Sequence, residues 1–115
     1  MTRRQYKAII NYVKSNGGAT IDAWTGALTM LKTGYMVSLA GYEKKHKRMT
    51  FRALSKAQKI AQKAGGFLGL WVDDGVIYSD VSTLINNKTL ALFEGVKNNQ
   101  IAIYDNAKQQ SIYLK

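Results

Sequence analysis

Tyr6, Ile9, Ile10 and Val13 recur at the spacing of one helix face, behind a Thr2/Gln5 capping-box pattern and ahead of Gly17-Gly18, which halts it. The spacing predicts a helix over residues 3–15. Phe51, Leu54, Ala57, Ile60, Ala61 and Ala64 keep the same period between a Thr50 cap and Gly65-Gly66, and predict a second helix. A third, shorter helix follows Asn86 or Asn87, carries Leu90, Phe93 and Val96, and ends at Asn98-Asn99, because asparagine tolerates the left-handed conformation. Between the helices lie β-branched and aromatic runs bounded by turn formers. Residues 19–24 and 35–42 read as strands, broken by Thr25-Gly26 and by Lys32-Thr33-Gly34, with 27–31 between them ambiguous. Asp74-Gly75 between the apolar runs 67–72 and 76–85 predicts a two-residue hairpin turn with positive φ. Residues 100–104 and 111–114 form a last pair of strands around Asp105-Asn106.

The order is a helix followed by two strands, three times over (α-ββ-α-ββ-α-ββ). It predicts an α+β fold in which an antiparallel sheet built from hairpins carries three helices on one face. The helix starts are unevenly spaced and the three blocks share no residue pattern, so this is not a sequence repeat. A chain of 115 residues holds one domain, residues 1–115, and 46% hydrophobic with 10% aromatic residues supplies a core rather than a disordered chain. Met1-Thr2-Arg3-Arg4 leads into an amphipathic pattern with no apolar leader, and the longest apolar run, 67–72, is far short of the ~20 residues of a membrane span. A soluble, cytoplasmic protein is expected.

Composition narrows the chemistry. With no Cys and a single His, the chain has no disulfide, thiolate nucleophile or zinc site requiring Cys or paired imidazoles, and no metal or cofactor is expected. The seven acids suggest no converging carboxylate pair: Asp73 and Asp74 are adjacent on a turn, and only Asp80 is placed to approach Asp22 or Glu43 across the sheet. His46 sits among Lys44, Lys45, Lys47 and Arg48, whose charge disfavours its protonated form, and no nucleophile is patterned beside it. Gly65-Gly66 and Gly69 lack the Lys-Ser/Thr of a phosphate-cradling loop. A non-enzymatic protein is the expectation.

Charge is the positive signal. Residues 1–63 carry 13 basic and 2 acidic side chains, residues 64–115 only 4 and 5, so the net +10 belongs to the N-terminal half. Lys44, Lys45, Lys47, Arg48, Arg52, Lys56, Lys59 and Lys63 fall in a 20-residue stretch without an acid. If the second helix is continued back to Arg48, the residues Arg48, Arg52, Lys56, Lys59 and Lys63 form a stripe about 80° wide and roughly 22 Å long, opposite the apolar face. A solvated surface would ordinarily mix signs, since Glu–Lys pairs four residues apart stabilise a helix. A single-sign face is instead suited to phosphates, which release counterions on contact. Arg3, Lys7 and Lys14 share a polar face of the first helix and would extend this patch if the two helices are neighbours. Trp24, Tyr35, Tyr42 and Trp71 are candidate stacking platforms for unpaired bases, although strand aromatics are favoured for packing alone.

Four segments carry a resemblance: Gly17-Gly18-Ala19-Thr20; Gly34-Tyr35-Met36-Val37-Ser38 with Gly41-Tyr42-Glu43; Phe67-Leu68-Gly69-Leu70-Trp71-Val72 with Asp80-Val81-Ser82; and Gln100-Ile101-Ala102-Ile103-Tyr104-Asp105. Together they resemble a family of small uncharacterised proteins of bacteriophages and mobile elements. The resemblance runs from residue 17 onward, carries no catalytic signature, and leaves out the Lys-rich stretch. It implies an accessory protein acting inside a bacterium. Two functional readings follow. One is a module that binds nucleic acid, DNA or RNA, or a host nucleoprotein such as a CRISPR effector, through Lys44, Lys45, Lys47, Arg48, Arg52, Lys56, Lys59 and Lys63. The other is a counter-defence inhibitor of the anti-CRISPR or anti-restriction kind that acts on a host nuclease by protein contact. The last strand has no proline to blunt it, which leaves an edge that a second copy could pair with in a homodimer.

Overall fold

In the computed structural model, which describes residues Met1–Lys115, helix α1 (Arg3–Asn16) starts at the expected capping box. The Gln5 N–H donates to the Thr2 hydroxyl at 3.0 Å, and the Thr2 N–H donates to the Gln5 side chain at 2.9 Å. Helix α2 (Phe51–Ala64) is capped by the Thr50 hydroxyl and stopped by Gly65 at φ 74°. Helix α3 (Lys88–Lys97) is capped by the Asn87 side chain, which accepts from the Leu90 N–H at 2.9 Å. The strands are β1 (Gly18–Ile21), β2 (Tyr35–Ser38), β3 (Lys44–His46), β4 (Phe67–Asp73), β5 (Val76–Ile85), β6 (Ala102–Asp105) and β7 (Gln110–Tyr113). They form one antiparallel sheet in the order β1-β4-β5-β2-β6-β7, with β3 paired to β5. The α+β architecture is therefore the expected one, with the third strand as an addition.

Two of the three strand pairs are hairpins. In the β4–β5 turn, Asp74 and Gly75 sit at φ 51° and 75°, the double positive φ that matches the right-handed twist of the flanking strands. β1 and β2 are not a hairpin, because β4 and β5 lie between them in the sheet. β1 ends at Ile21 rather than 24 because Asp22 turns the chain, its carboxylate accepting from the N–H groups of Trp24 and Thr25 at 2.8 and 3.2 Å. The ambiguous segment then makes one bridge, Leu28 to Ile21, before the chain travels to β2.

The second expected strand also breaks. Ser38 lies opposite Ser82 and Lys44 opposite Ser79, so residues 39–43 face only Asp80 and Val81 of β5. Gly41, at φ 87°, supports this excursion in a conformation that disfavours a side chain.

Cross-strand registers put all three helices on one face. Leu68, Leu70, Val81 and Ile21 form the larger core with Ile9, Val13, Leu54, Ala57 and Ala61 of α1 and α2. Val37 and Ile103 form a smaller one with Ala91 of α3, and Val37 lies opposite Thr83, which points to the same side of β5 as Val81. α3 differs from the periodic reading. Its buried residues are Ala91 and Gly95, while Leu90, Phe93 and Val96 are at least half exposed. A Cβ on Gly95 would stand 2.6 Å from Leu114 and 2.7 Å from Ile103, so the helix is docked through its small residues. No helix is long and apolar enough to cross a membrane.

Candidate nucleic-acid interface

Because Thr50 is the cap, the helical register begins at Phe51, and Lys47 and Arg48 lie in the exposed segment between β3 and α2. The stripe therefore leaves out Arg48, against expectation, and runs from Arg52 to Lys63, about 17 Å rather than 22. Arg52, Lys56, Lys59 and Lys63 are all exposed along it, opposite the buried Leu54, Ala57, Gln58 and Ala61. At its N-terminal end α1 comes close: the Arg3 guanidinium lies 4.6 Å from the centre of the Phe51 ring, and Tyr6 meets that ring edge-on. Lys7 and Lys14 are exposed on α1.

Lys44 and Lys45 are on β3, a three-residue strand at the sheet margin, where lysines also discourage edge-to-edge pairing. Alternation sends them to opposite faces. Lys44 and His46 share the helix side with Ser79 and Ile77, while Lys45 shares the open side with Tyr78. Lys44 thus meets α2 across a cleft of about 220 Å³, lined by Lys44, His46, Arg52 and Lys56 together with Tyr42 and Thr50. The floor is Leu68, Ser79 and Val81, and Asp80 is the one acidic residue at the lining. Of the eight expected site residues the cleft gathers three, Lys59 and Lys63 prolong it along α2, and Lys45, Lys47 and Arg48 lie outside it.

Two further cleft residues meet there: His46, which the sequence marked by the positive charge around it, and Ser79, which carried no signal of its own. The His46 ring meets the Ser79 hydroxyl through Nε2 at 2.8 Å, and Ser79 is buried at the floor, so the hydroxyl fixes the ring. Burial, and then the charge of Lys44, hold the imidazole below its ordinary 6.5. A lowered value means that the neutral ring is the folded-state form: its contribution to stability is present above pH 6.5 and lost as pH falls through the folded value. An anion in the cleft reverses the balance by favouring the imidazolium. His46 is the only histidine, so one set of NMR signals reports on the cleft. Its titration midpoint is expected below 6.5 in the free protein and should rise when inorganic phosphate is added. A free midpoint at or above 6.5, or one that saturating phosphate leaves in place, would remove the cleft as an anion site.

The open face of the sheet holds a second polar cluster. The Asp80 carboxylate accepts from the Ser38 hydroxyl at 3.2 Å and from the Ser82 hydroxyl at 3.4 Å, over a Gly69 whose missing Cβ leaves it room. Burial raises the Asp80 pKa; the two serine hydrogen bonds oppose the rise and the Glu43 charge adds to it. Asp80 does approach Glu43, then, through its field rather than as a hydrogen-bonded pair. Beside this cluster Trp71 and Tyr78 stack with ring centres 4.3 Å apart. Tyr35 and Tyr42 are elsewhere: Tyr35 packs in the small core and Tyr42 lines the cleft. Trp24 is 75% exposed in the turn after β1. No three His, Cys, Asp or Glu side chains come together as a metal site.

No family model matches the chain, and no curated protein or solved structure is significantly similar to it.

Proposed function

We propose that this protein is a non-enzymatic module that binds the phosphate backbone of nucleic acid through α2 and β3. The observation that carries the reading is the convergence of Lys44, Arg52 and Lys56, from two elements, on one cleft, with Lys59 and Lys63 continuing the same exposed helix face. A solvated Lys-rich helix needs no such convergence from a separate strand. The stripe is about five base steps long at 3.4 Å per step along one strand, enough for a phosphate to meet each helical cation in turn. The resemblance to small proteins of bacteriophages and mobile elements suits this reading, as it implies an accessory protein acting inside a bacterium.

Such binding has a measurable signature. If Lys44, Arg52, Lys56, Lys59 and Lys63 each neutralise one phosphate of a duplex, the plot of log affinity against log salt falls with a slope of about −4 to −5. Fluorescence anisotropy with labelled duplex DNA, duplex RNA and single strands between 50 and 300 mM salt, on the order of a Debye length of 6–14 Å, reads this slope directly. A flat dependence, or no affinity near physiological salt, overturns the proposal. Protection of DNA from a host nuclease without any affinity for the DNA would replace it with the counter-defence reading.

A further inference from the structure

The path from β1 to β2 creates a site over the open face of the sheet, with Tyr12 and Asn16 of α1 also in its lining. Residues 28–32 stand against the open face and, with the strands, enclose a groove of about 840 Å³. This is within the ordinary range for ligand sites, about 300–1,000 Å³. Besides one cation, Lys32, which makes no ion pair with Asp80, its lining offers two kinds of surface. Trp71, Tyr104, Met30 and Met36 give it aromatic and thioether surface, and Ser38, Asp80 and Ser82 give it a hydrogen-bonding patch. Trp71 is braced from behind by its stack on Tyr78, which leaves the indole fixed yet 37% exposed.

The polar patch sits where a sheet gains least from it. A carboxylate withdrawn from water costs stability unless it is paired, and Asp80 has two serine hydroxyls rather than a cation. An ionised carboxylate only accepts hydrogen bonds and has about four lone-pair sites, of which the serines occupy two. The vacant acceptor capacity calls for a ligand with N–H donors, and the flanking rings call for a flat one. We infer that the groove takes an unpaired nucleobase, stacked against Trp71, with its N–H donors on Asp80. Guanine suits this patch best, because its N1–H and N2–H₂ are adjacent donors for two carboxylate oxygens, whereas thymine and uracil offer a single N–H.

This inference rests on the nucleic-acid reading, and the architecture joins the two sites. Asp80 borders both the basic cleft and the groove, at the point where β2 and β3 part company. β3 directs Lys44 into the cleft and Lys45 to the open face beside Tyr78, so its lysines mark a cationic route around the sheet margin. A single strand held by its phosphates on α2 and β3 can follow that route and lay a base in the groove. A duplex cannot, since its bases are paired and stacked.

The test uses four DNA pentamers, dTTGTT, dTTATT, dTTCTT and dTTTTT, which carry the same backbone charge and differ in one base. Emission of Trp71, read in a Trp24→Phe background, is expected to be quenched saturably by dTTGTT at an affinity at least tenfold above that for dTTTTT. Trp71→Ala should remove the difference between the two pentamers, with binding then followed by anisotropy. Asp80→Asn, which removes a buried charge and so keeps the fold, should equalise the four pentamers. Equal affinities in the parent protein, or a guanine preference that survives Asp80→Asn, would overturn the inference. Failure of duplex binding with the guanine preference intact would refute the backbone interface alone; salt-dependent duplex binding with four equal pentamers would refute the groove alone.

Discussion

Replacing Arg52, Lys56, Lys59 and Lys63 together with glutamate is expected to weaken duplex binding by about 10³-fold at physiological salt. Each phosphate deprived of its cation forfeits roughly 0.7 decades at 0.15 M, because its counterions are no longer released, and four such phosphates make about three decades before any repulsion is counted. The salt slope should fall toward the residue left by Lys44 and the outlying cations. The fold should survive, since all four side chains are exposed and the buried face of α2 is unchanged. Glutamate at 52 lies in the first turn of α2, where it favours the helix dipole, and at 63 in the last turn, where it opposes it by a few tenths of a kcal/mol. Circular dichroism would confirm the helix content, and anisotropy would read the affinity. A loss smaller than tenfold would move the phosphate interface off α2.

Leu54→Ala should have the largest effect on stability. Leu54 is fully buried on the core side of α2, in the cluster that joins α1 and α2 to β1, β4 and β5. Truncating such a leucine removes its transfer free energy and leaves a cavity that a close-packed core fills only in part, at a cost of about 2–5 kcal/mol. That is a large share of the roughly 5–15 kcal/mol by which domains of this size are stable. Urea unfolding would show a lower midpoint at an unchanged slope. Phe93→Ala provides the contrast. Although Phe93 is larger and lies on an apolar helical repeat, it is 63% exposed, so its truncation should cost under about 1 kcal/mol. Equal destabilisation of the two variants would mean that α3 buries Phe93 rather than Ala91 and Gly95.

The contrast marks where periodicity is informative. α1 and α2 were legible because cap, apolar repeat and glycine stop agree within each segment, and each helix buries the side its repeat selects. α3 has the repeat and the cap but docks through Ala91 and Gly95. The close approach is set by Ile103 and Leu114, which lie beyond the helix in the chain, and no local pattern encodes it. The candidate site divides in the same way. Arg52, Lys56, Lys59 and Lys63 were legible as one face because helical geometry alone aligns them. Lys44 joined them only because β3 pairs with β5, and Lys45 left them for the same reason.

Residues that act through long-range pairing were out of reach of sequence reasoning. Ser38, Gly69, Asp80 and Ser82 lie on three different strands, and their meeting depends on the cross-strand register of β2, β4 and β5. A one-residue slip in any of these pairings would send the cluster to the other face. The excursion at residues 39–43 was equally silent, since Gly41 within a strand-like run signals a break without saying how the chain resumes.

By itself, then, the sequence determined the α+β class, the three helices with their caps, the Asp74-Gly75 hairpin and the concentration of positive charge in residues 44–63. All of these follow from interactions within a few residues or from counting. Tertiary structure decided which strands are neighbours, which side of α3 is buried, which lysines meet across the cleft, and that Asp80 borders both the cleft and the groove. Those outcomes follow from packing and register, which are properties of the whole chain, because a face is buried or exposed only with respect to what covers it.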